Sequence, residues 1–422
     1  TGFASYPEGN LAGAVEMCNG QGACRKVLSG TMCPSYMVTR DEEHSTRGRA
    51  NALRAAISGA LPVDSLISKR LYDVLDLCLE CKGCKAECPS NVDIAKLKYE
   101  FLDRYHKANG YSLRNRIFGN VSLLGRMGSF FAPISNWPLE AGPFKDLLEE
   151  IVGIDHRRTL PSFASQTFAQ WFRARGGSPS SVSTRGQVLL FPDTFTNYNH
   201  PYLGQAATAV LESMGYQVIL PQTKCCGRPM LSKGMMDKAR TNGRFNVDSV
   251  FPYIEKGAKL VGLEPSCILS FRDDYVDLLS DSRSRVVADN SMLIEEFVLY
   301  AREEDGAALD FAKEPGKVLF HGHCHQKAVV GTGPAMEVLR SIPGCDAREI
   351  SSGCCGMAGA FGFEKEHFQI SMDIAEQTLF PAIRSEQGEF DVVSEGVSCR
   401  QQVEDGTGKR AKHLVEVLAE AL

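Results

Sequence analysis

From about residue 187 onward, short apolar runs alternate with longer stretches in which apolar residues return every three or four positions. Val188 to Phe191, Val218 to Leu220 and Leu260 to Leu263 have the length and make-up of buried strands, whereas Leu203 to Met214 and Met235 to Tyr253 carry the helical period. Further on, Val318 to Phe320 and Asp391 to Val393 read as strands and Lys365 to Phe380 as a helix. Such alternation predicts α/β units around mainly parallel sheets. Upstream the pattern is helical. Asn51 to Ala60 and Pro62 to Leu79 fit helices, and so does Asp93 to His106, with Asn91 or Asp93 as its N-cap.

The α/β half is duplicated. Cys225-Cys226-Gly227 recurs as Cys354-Cys355-Gly356 at an offset of 129, and Cys267 recurs as Cys399 at 132. The strand before Thr194 recurs before Cys324 at 130. These landmarks divide the chain into a helical region, 1–110, a connecting segment and linker, 111–186, and two repeats, 187–310 and 311–422. Gly176 to Gly186, small and polar, reads as the linker. Phe130, Phe131 and Trp137 in the connecting segment form an aromatic cluster suited to packing on a partner domain, with a membrane surface or a quinone as alternatives.

The chemistry lies in the cysteines, 15 of them in 422 residues. Cys78-Leu-Glu-Cys81-Lys-Gly-Cys84-Lys-Ala-Glu-Cys88-Pro89 has the C-x2-C-x2-C-x3-C-P spacing of bacterial iron-sulfur loops, in which the fourth cysteine ligates the other of two clusters. A zinc knuckle has no use for a third cysteine in the same turn and a fourth before proline. The second cluster's ligands are then expected upstream, where Cys18-Asn-Gly-Gln21-Gly-Ala-Cys24 has Gln21 in place of the middle cysteine and Cys33-Pro34 closes the motif. The pairing places Cys33, Cys78, Cys81 and Cys84 on a 4Fe-4S cluster. Cys18, Cys24 and Cys88 remain for a 3Fe-4S cluster, or for a 4Fe-4S cluster with a non-cysteine ligand.

A formal charge of −5 gives no basic stripe for nucleic acid. Metal-bound thiolates imply a reducing compartment. Neither a signal peptide nor an apolar run of membrane-spanning length is present, so a cytoplasmic location is expected, with peripheral contact to the inner face of the membrane as an option. The start at Thr1, inside an apparent loop, suggests a fragment or a processed piece.

Glu16-Met-Cys18 through Cys33-Pro-Ser-Tyr36, followed by Thr39 to Asn51, resembles the iron-sulfur C-terminal half of bacterial FAD-linked D-2-hydroxyacid dehydrogenases of the D-2-hydroxyglutarate and D-lactate type. Asn197-Tyr-Asn-His-Pro201 and the two Cys-Cys-Gly sites are similar to the CCG cysteine-rich domains of glycolate oxidase and glycerol-3-phosphate dehydrogenase iron-sulfur subunits and of heterodisulfide reductase. The resemblance implies a multidomain fold, an alpha-helical ferredoxin domain followed by a duplicated α/β CCG domain. It also implies an oxidoreductase electron-transfer module that takes electrons from FAD on another domain or chain toward a quinone or other carrier. Catalytic reduction at a CCG metal site and a structural zinc protein are the alternatives.

Against the CCG pattern, repeat one has Thr194 and Glu264 where cysteines stand, leaving Cys225, Cys226 and Cys267. Repeat two departs only at Gly396, leaving Cys324, Cys354, Cys355 and Cys399 for a cluster or zinc. Beside them, His321 is read as structural or as a hydrogen-bond partner of a sulfur, and His323 and His325 as further ligand candidates. Arg47 and Arg49 open a helix capped by Ser45 or Thr46. Their charge opposes the helix dipole and points to an anionic contact such as a cluster. Cys345 fits no motif and is expected in the core.

Overall fold

The computed structural model describes residues 2–27, 29–179, 181 and 184–422. The expected linker falls partly on residues 180, 182 and 183, outside the described residues. No strand precedes Gln187 among the described residues. Thr46–Ile57 begins earlier than its apolar period suggests, because the Ser45 side chain accepts from Gly48 N and caps it. Ser68 likewise caps Lys69–Asp76, so the expected helix from Pro62 is a 3-10 turn, Val63–Ile67, followed by a shorter helix. Asp93 caps Ile94–Asn109 by accepting from Lys96 N.

The first sheet holds β1 (Gln187–Leu190), β2 (Gln217–Ile219), β3 (Lys259–Gly262) and β4 (Ser291–Leu293) in the order β2-β1-β3-β4. The second holds β5 (Lys317–Phe320), β6 (Asp346–Glu349), β7 (Asp391–Val393) and β8 (Ala411–Lys412) in the order β6-β5-β7-β8. Every pairing is parallel, and the two orders are the same, so the sequence duplication is a duplication of topology. Strands β4, β6 and β8 carry little apolar signal: β8 has two residues, and β6 buries only Ala347. The expected helix from Lys365 to Phe380 is broken into Phe368–Glu376 and Leu379–Ser385. Pro381 lacks the N–H that a continuous helix would bond to the Gln377 carbonyl.

The repeats share one core. Leu203, Val210 and Leu211 of the helix Pro201–Ser213 pack in the same cluster as Phe297 of the first repeat and Val415 and Leu418 of the C-terminal helix Leu414–Ala421. Full burial of such side chains contributes about 1.5–3 kcal/mol each.

A buried ion network fastens the helical region to both repeats. His367 Nε2 stands 2.9 Å from Asp76 Oδ2, its Nδ1 3.0 Å from Glu364 Oε2, and its ring stacks on Phe361. Lys233 of the first repeat donates to Glu364 at 2.7 Å. Burial alone would lower the His367 pKa, but the hydrogen bonds to Asp76 and Glu364 push it up to about 9. Its contribution to stability is therefore complete below the unfolded value of about 6.5 and is lost as pH rises through 9. The native protein should exceed the His367→Gln variant in melting temperature at pH 6 to 7, with the gap closing above pH 9. Thermal unfolding across that range checks the sign.

Candidate metal centres

The loop carrying Cys78, Cys81 and Cys84 doubles back on itself because Glu80 and Lys82 both take positive φ, 55° and 57°. That conformation is uncommon for residues with a Cβ. Here it is held by charge, since Lys82 Nζ is buried against Asp273 and lies 2.7 Å from Asp274 Oδ1 in the first repeat. The three cysteines and Cys33 line one small pocket with Pro34, Arg49 and Ile94. Burial pushes the Cys78 thiol up, and pushes the Cys81 and Cys84 thiols well above the usual range. Buried cysteines converging on one pocket suit a metal-held set, since a metal keeps such sulfurs as thiolates.

Arg49, fully buried, donates from Nη1 to Cys33 Sγ at 3.2 Å and from Nη2 to Ser35 Oγ at 2.9 Å. The anionic contact expected of this arginine is thus a cysteine sulfur. Arg47 differs: its side chain pairs with Glu42 at 2.7 Å, and only its backbone N–H reaches a sulfur, Cys24 Sγ, at 3.3 Å. Cys24 is buried, whereas Cys18 and Cys88 are half-buried against the same helical core. Gln21 is exposed.

In each repeat the cysteines gather at the carboxyl ends of the parallel strands, where α/β sheets hold ligands. In the second repeat Cys324, Cys354, Cys355 and Cys399 are all buried. Their thiols touch in the series Cys324, Cys354, Cys355, Cys399, and His321 reaches Cys355. The contact with Cys354 brings the Cys324 thiol down to about 7, and contacts with Cys354, Cys399 and His321 hold Cys355 well below the ordinary range. The same contacts push the Cys354 and Cys399 thiols well above the ordinary range, so protons are shared unevenly along the series, and four buried sulfurs in contact fit a thiolate-bound metal. Gly356 must be glycine, because its φ is 88° and a Cβ would meet Ser371 O at 2.2 Å.

Gly396, where a cysteine is missing, has a specific replacement. A Cβ there would meet His323 Cδ2 at 2.3 Å, so the imidazole fills the space of the absent thiol. His323 also caps the helix Cys324–Val329 through Nδ1, and its Nε2 faces Glu264 Oε1 at 4.0 Å. His325 turns away from the sulfurs and meets the Glu80 carbonyl at 2.9 Å.

In the first repeat Cys226 and Cys267 are buried with their sulfurs 3.0 Å apart, and Cys225, half-buried, is hydrogen-bonded to Thr194. Glu264, at the other vacant cysteine position, accepts from Val397 N and Ser266 Oγ, so its carboxylate is already engaged. Cys345 is half-buried at the edge of the shared core, away from all these groups.

The two halves meet at their sulfurs. Cys81 of the loop packs with Cys324 and Cys354 of the second repeat, together with Leu79, Phe361 and Ile374, in one apolar cluster.

Known proteins share this layout. The 4Fe-4S dicluster domain family matches residues 14–92, and the cysteine-rich CCG domain family matches 190–272 and 318–404. A subunit of the anaerobic glycerol-3-phosphate dehydrogenase of Escherichia coli K12 is 35% identical over 79% of this chain and 83% of its own length. This chain belongs to that iron-sulfur subunit family. It is also 26% identical to D-2-hydroxyglutarate dehydrogenase of Pantoea ananatis, over 97% of this chain and 43% of that protein. The glycolate oxidase iron-sulfur subunit of E. coli K12 is 24% identical over 92% and 91% of the two chains. Members of this family are oxidoreductase components, and the chain is an iron-sulfur electron-transfer module.

Three substitutions test these sites. Arg49→Gln removes a buried positive charge from beside Cys33 and should lower the reduction potential of a cluster bound through that sulfur, measured by redox titration. Gly396→Cys should clash with His323 and destabilise the second repeat by about 1–3 kcal/mol. Pairing it with His323→Ala should restore the melting temperature.

Proposed function

We propose that electrons from a reduced flavin on a partner domain or subunit pass through two iron-sulfur clusters in the helical region to a metal centre in the second CCG repeat, and from there to a quinone or other carrier. The adjacency of Cys81 to Cys324 and Cys354 carries this reading, because it leaves only side-chain packing between the two sulfur sets. Iron-sulfur clusters supply one-electron steps that divide the flavin's two. What the chain's residues do is set the order. Cys18 and Cys88 are the half-buried members and face an incoming donor, while Cys33, Cys78, Cys81 and Cys84 lie deeper. In the first repeat three cysteines and an occupied Glu264 make a poorer ligand set, so the second repeat is the onward site. The substrates in this setting are 2-hydroxy acids or a related alcohol, oxidised at the flavin and not on this chain.

The connecting segment supplies a docking face. Phe130 is 80% and Trp137 79% exposed, and Leu123, Met127, Phe131, Ile134 and Ile151 are exposed beside them. An apolar surface of this kind marks an interaction site, and we assign it to the flavin-bearing partner. Among the described residues no helix is long and apolar enough to cross a membrane.

Anaerobic purification followed by iron, sulfide and zinc analysis tests the scheme. About seven or eight irons belong to the helical region, and Cys324→Ser should remove only the iron above that number. Zinc without sulfide would overturn the scheme. Phe130→Ser with Trp137→Ser should abolish co-purification of the flavin-bearing partner. Unchanged co-purification, with loss of sedimentation on lipid vesicles instead, would move the face to the membrane.

A further inference from the structure

Between the two repeats lies a pair of carboxyl groups that none of the metal sites uses. Glu295, in the first turn of the helix Ile294–Glu304, is 0% exposed, and Glu395, between β7 and the helix Val397–Thr407, is 1% exposed. The two side chains contact each other. Gln326 Nε2 donates to Glu295 Oε1 at 2.7 Å. The remaining oxygens, Glu295 Oε2 and both of Glu395, meet no N–H or hydroxyl donor of the described residues. A buried carboxylate in that condition is costly, and two in contact cannot both be charged, so the pair holds at least one proton.

The charged and titratable neighbours do not neutralise it. Glu264, the N-cap of the helix Pro265–Arg272, adds a further negative charge, and Glu296 does so from the position next to Glu295, although Arg272 binds it at 2.7 Å. The Arg400 guanidinium is turned to the backbone carbonyls of Ser394 and Glu395 and not to the carboxyl group. His323 faces Glu264. Burial accordingly raises Glu295 to about 7 and Glu395 well above the usual carboxylate range.

The pair is joined to the segments that carry the second repeat's cysteines at two points. Gln326, which donates to Glu295, also accepts from His323 N at the start of the helix that presents Cys324. Glu395 precedes Cys399 by four residues, at the entry to the helix that carries it, and Glu264 bears on both Glu395 and Cys399. Charge added among those sulfurs is therefore felt by the carboxyl pair, and the converse holds by reciprocity.

We propose that Glu295 and Glu395 form a redox-linked proton site, taking up one solvent proton when an electron reaches the metal centre of the second repeat and releasing it when the electron leaves. This rests on the electron path proposed above. The electron comes from the reduced flavin through the helical-region clusters, the proton from solvent forms an O–H bond on the ionised carboxylate, and the net charge of the region is unchanged. Glu295 and Glu395 are positioning residues for charge and do not touch the carrier or the substrate.

The test is a redox titration of the holoprotein, followed by EPR at several pH values between 6 and 9, with metal analysis of each sample. In the native protein the second-repeat potential should fall as pH rises, approaching a tenfold change per pH unit, about 59 mV for a one-electron step. The double variant Glu295→Gln with Glu395→Gln, isosteric and able to hydrogen-bond to itself, should give a pH-independent potential at unchanged metal content. Infrared spectra should show a carboxylic acid carbonyl band in the native protein that the double variant lacks. If the double variant does not fold, Glu295→Gln alone should displace the midpoint of the pH dependence. A native potential independent of pH at full metal content overturns the proton site while leaving the electron path intact. A second repeat without a redox-active metal overturns both.

Discussion

The pairing of Lys82 with Asp273 and Asp274 is the contact on which the arrangement of centres depends. Lys82 sits inside the cysteine loop in a left-handed conformation, and its ammonium group is buried in the first repeat. A buried ion pair adds little net stability, but removing one partner leaves an uncompensated charge and costs about 3–5 kcal/mol. The pair therefore acts as a register device. It fixes the loop against the first repeat while the loop's other side, at Cys81, packs on the second. Neighbouring charges extend the clamp: Arg228 pairs with Tyr99 and approaches Glu80 and Asp274, and Lys98 binds the carbonyls of Asp76 and Cys78. The sulfurs can be dry because the charges around them are matched.

The duplicated repeats have diverged by use. Their sheets share one strand order, and a single core runs through both. In the second repeat four thiols touch in series, and an imidazole fills the space of the missing fifth. In the first, a threonine and a carboxylate have replaced cysteines, and the carboxylate has become a bridge to the second repeat through Val397 N. Loss of ligands in one copy thus accompanies a polar boundary between the copies, where Glu264, Glu295 and Glu395 are all buried.

The cysteine sets are graded by burial. Cys18 and Cys88 are half-buried, Cys33, Cys78, Cys81 and Cys84 are buried, and the four second-repeat cysteines are buried as well. Along the proposed path an electron would meet progressively less solvent, and the fixed groups beside the sulfurs, Arg49 at Cys33 and His321 at Cys355, would outweigh water in setting potential.

The sequence alone determined the cysteine spacings, the duplication and the alternation of strand and helix, because ligand loops and period-two or period-3.6 burial are written locally. Ser45 and Asp93 as caps belong to the same class, whereas Ser68, which the apolar period ran through, caps a helix that starts later than that period placed it. Strands β6 and β8 were not legible, since an edge strand of two to four residues owes its conformation to the neighbour it pairs with. Nor could the sequence tell that His323 stands in for a side chain at Gly396, that Cys81 abuts Cys324, or that Glu295 and Glu395 meet. Each of these joins residues separated by tens to hundreds of positions, and only the packing of two sheets and a helical region into one body brings them within reach of each other's charge.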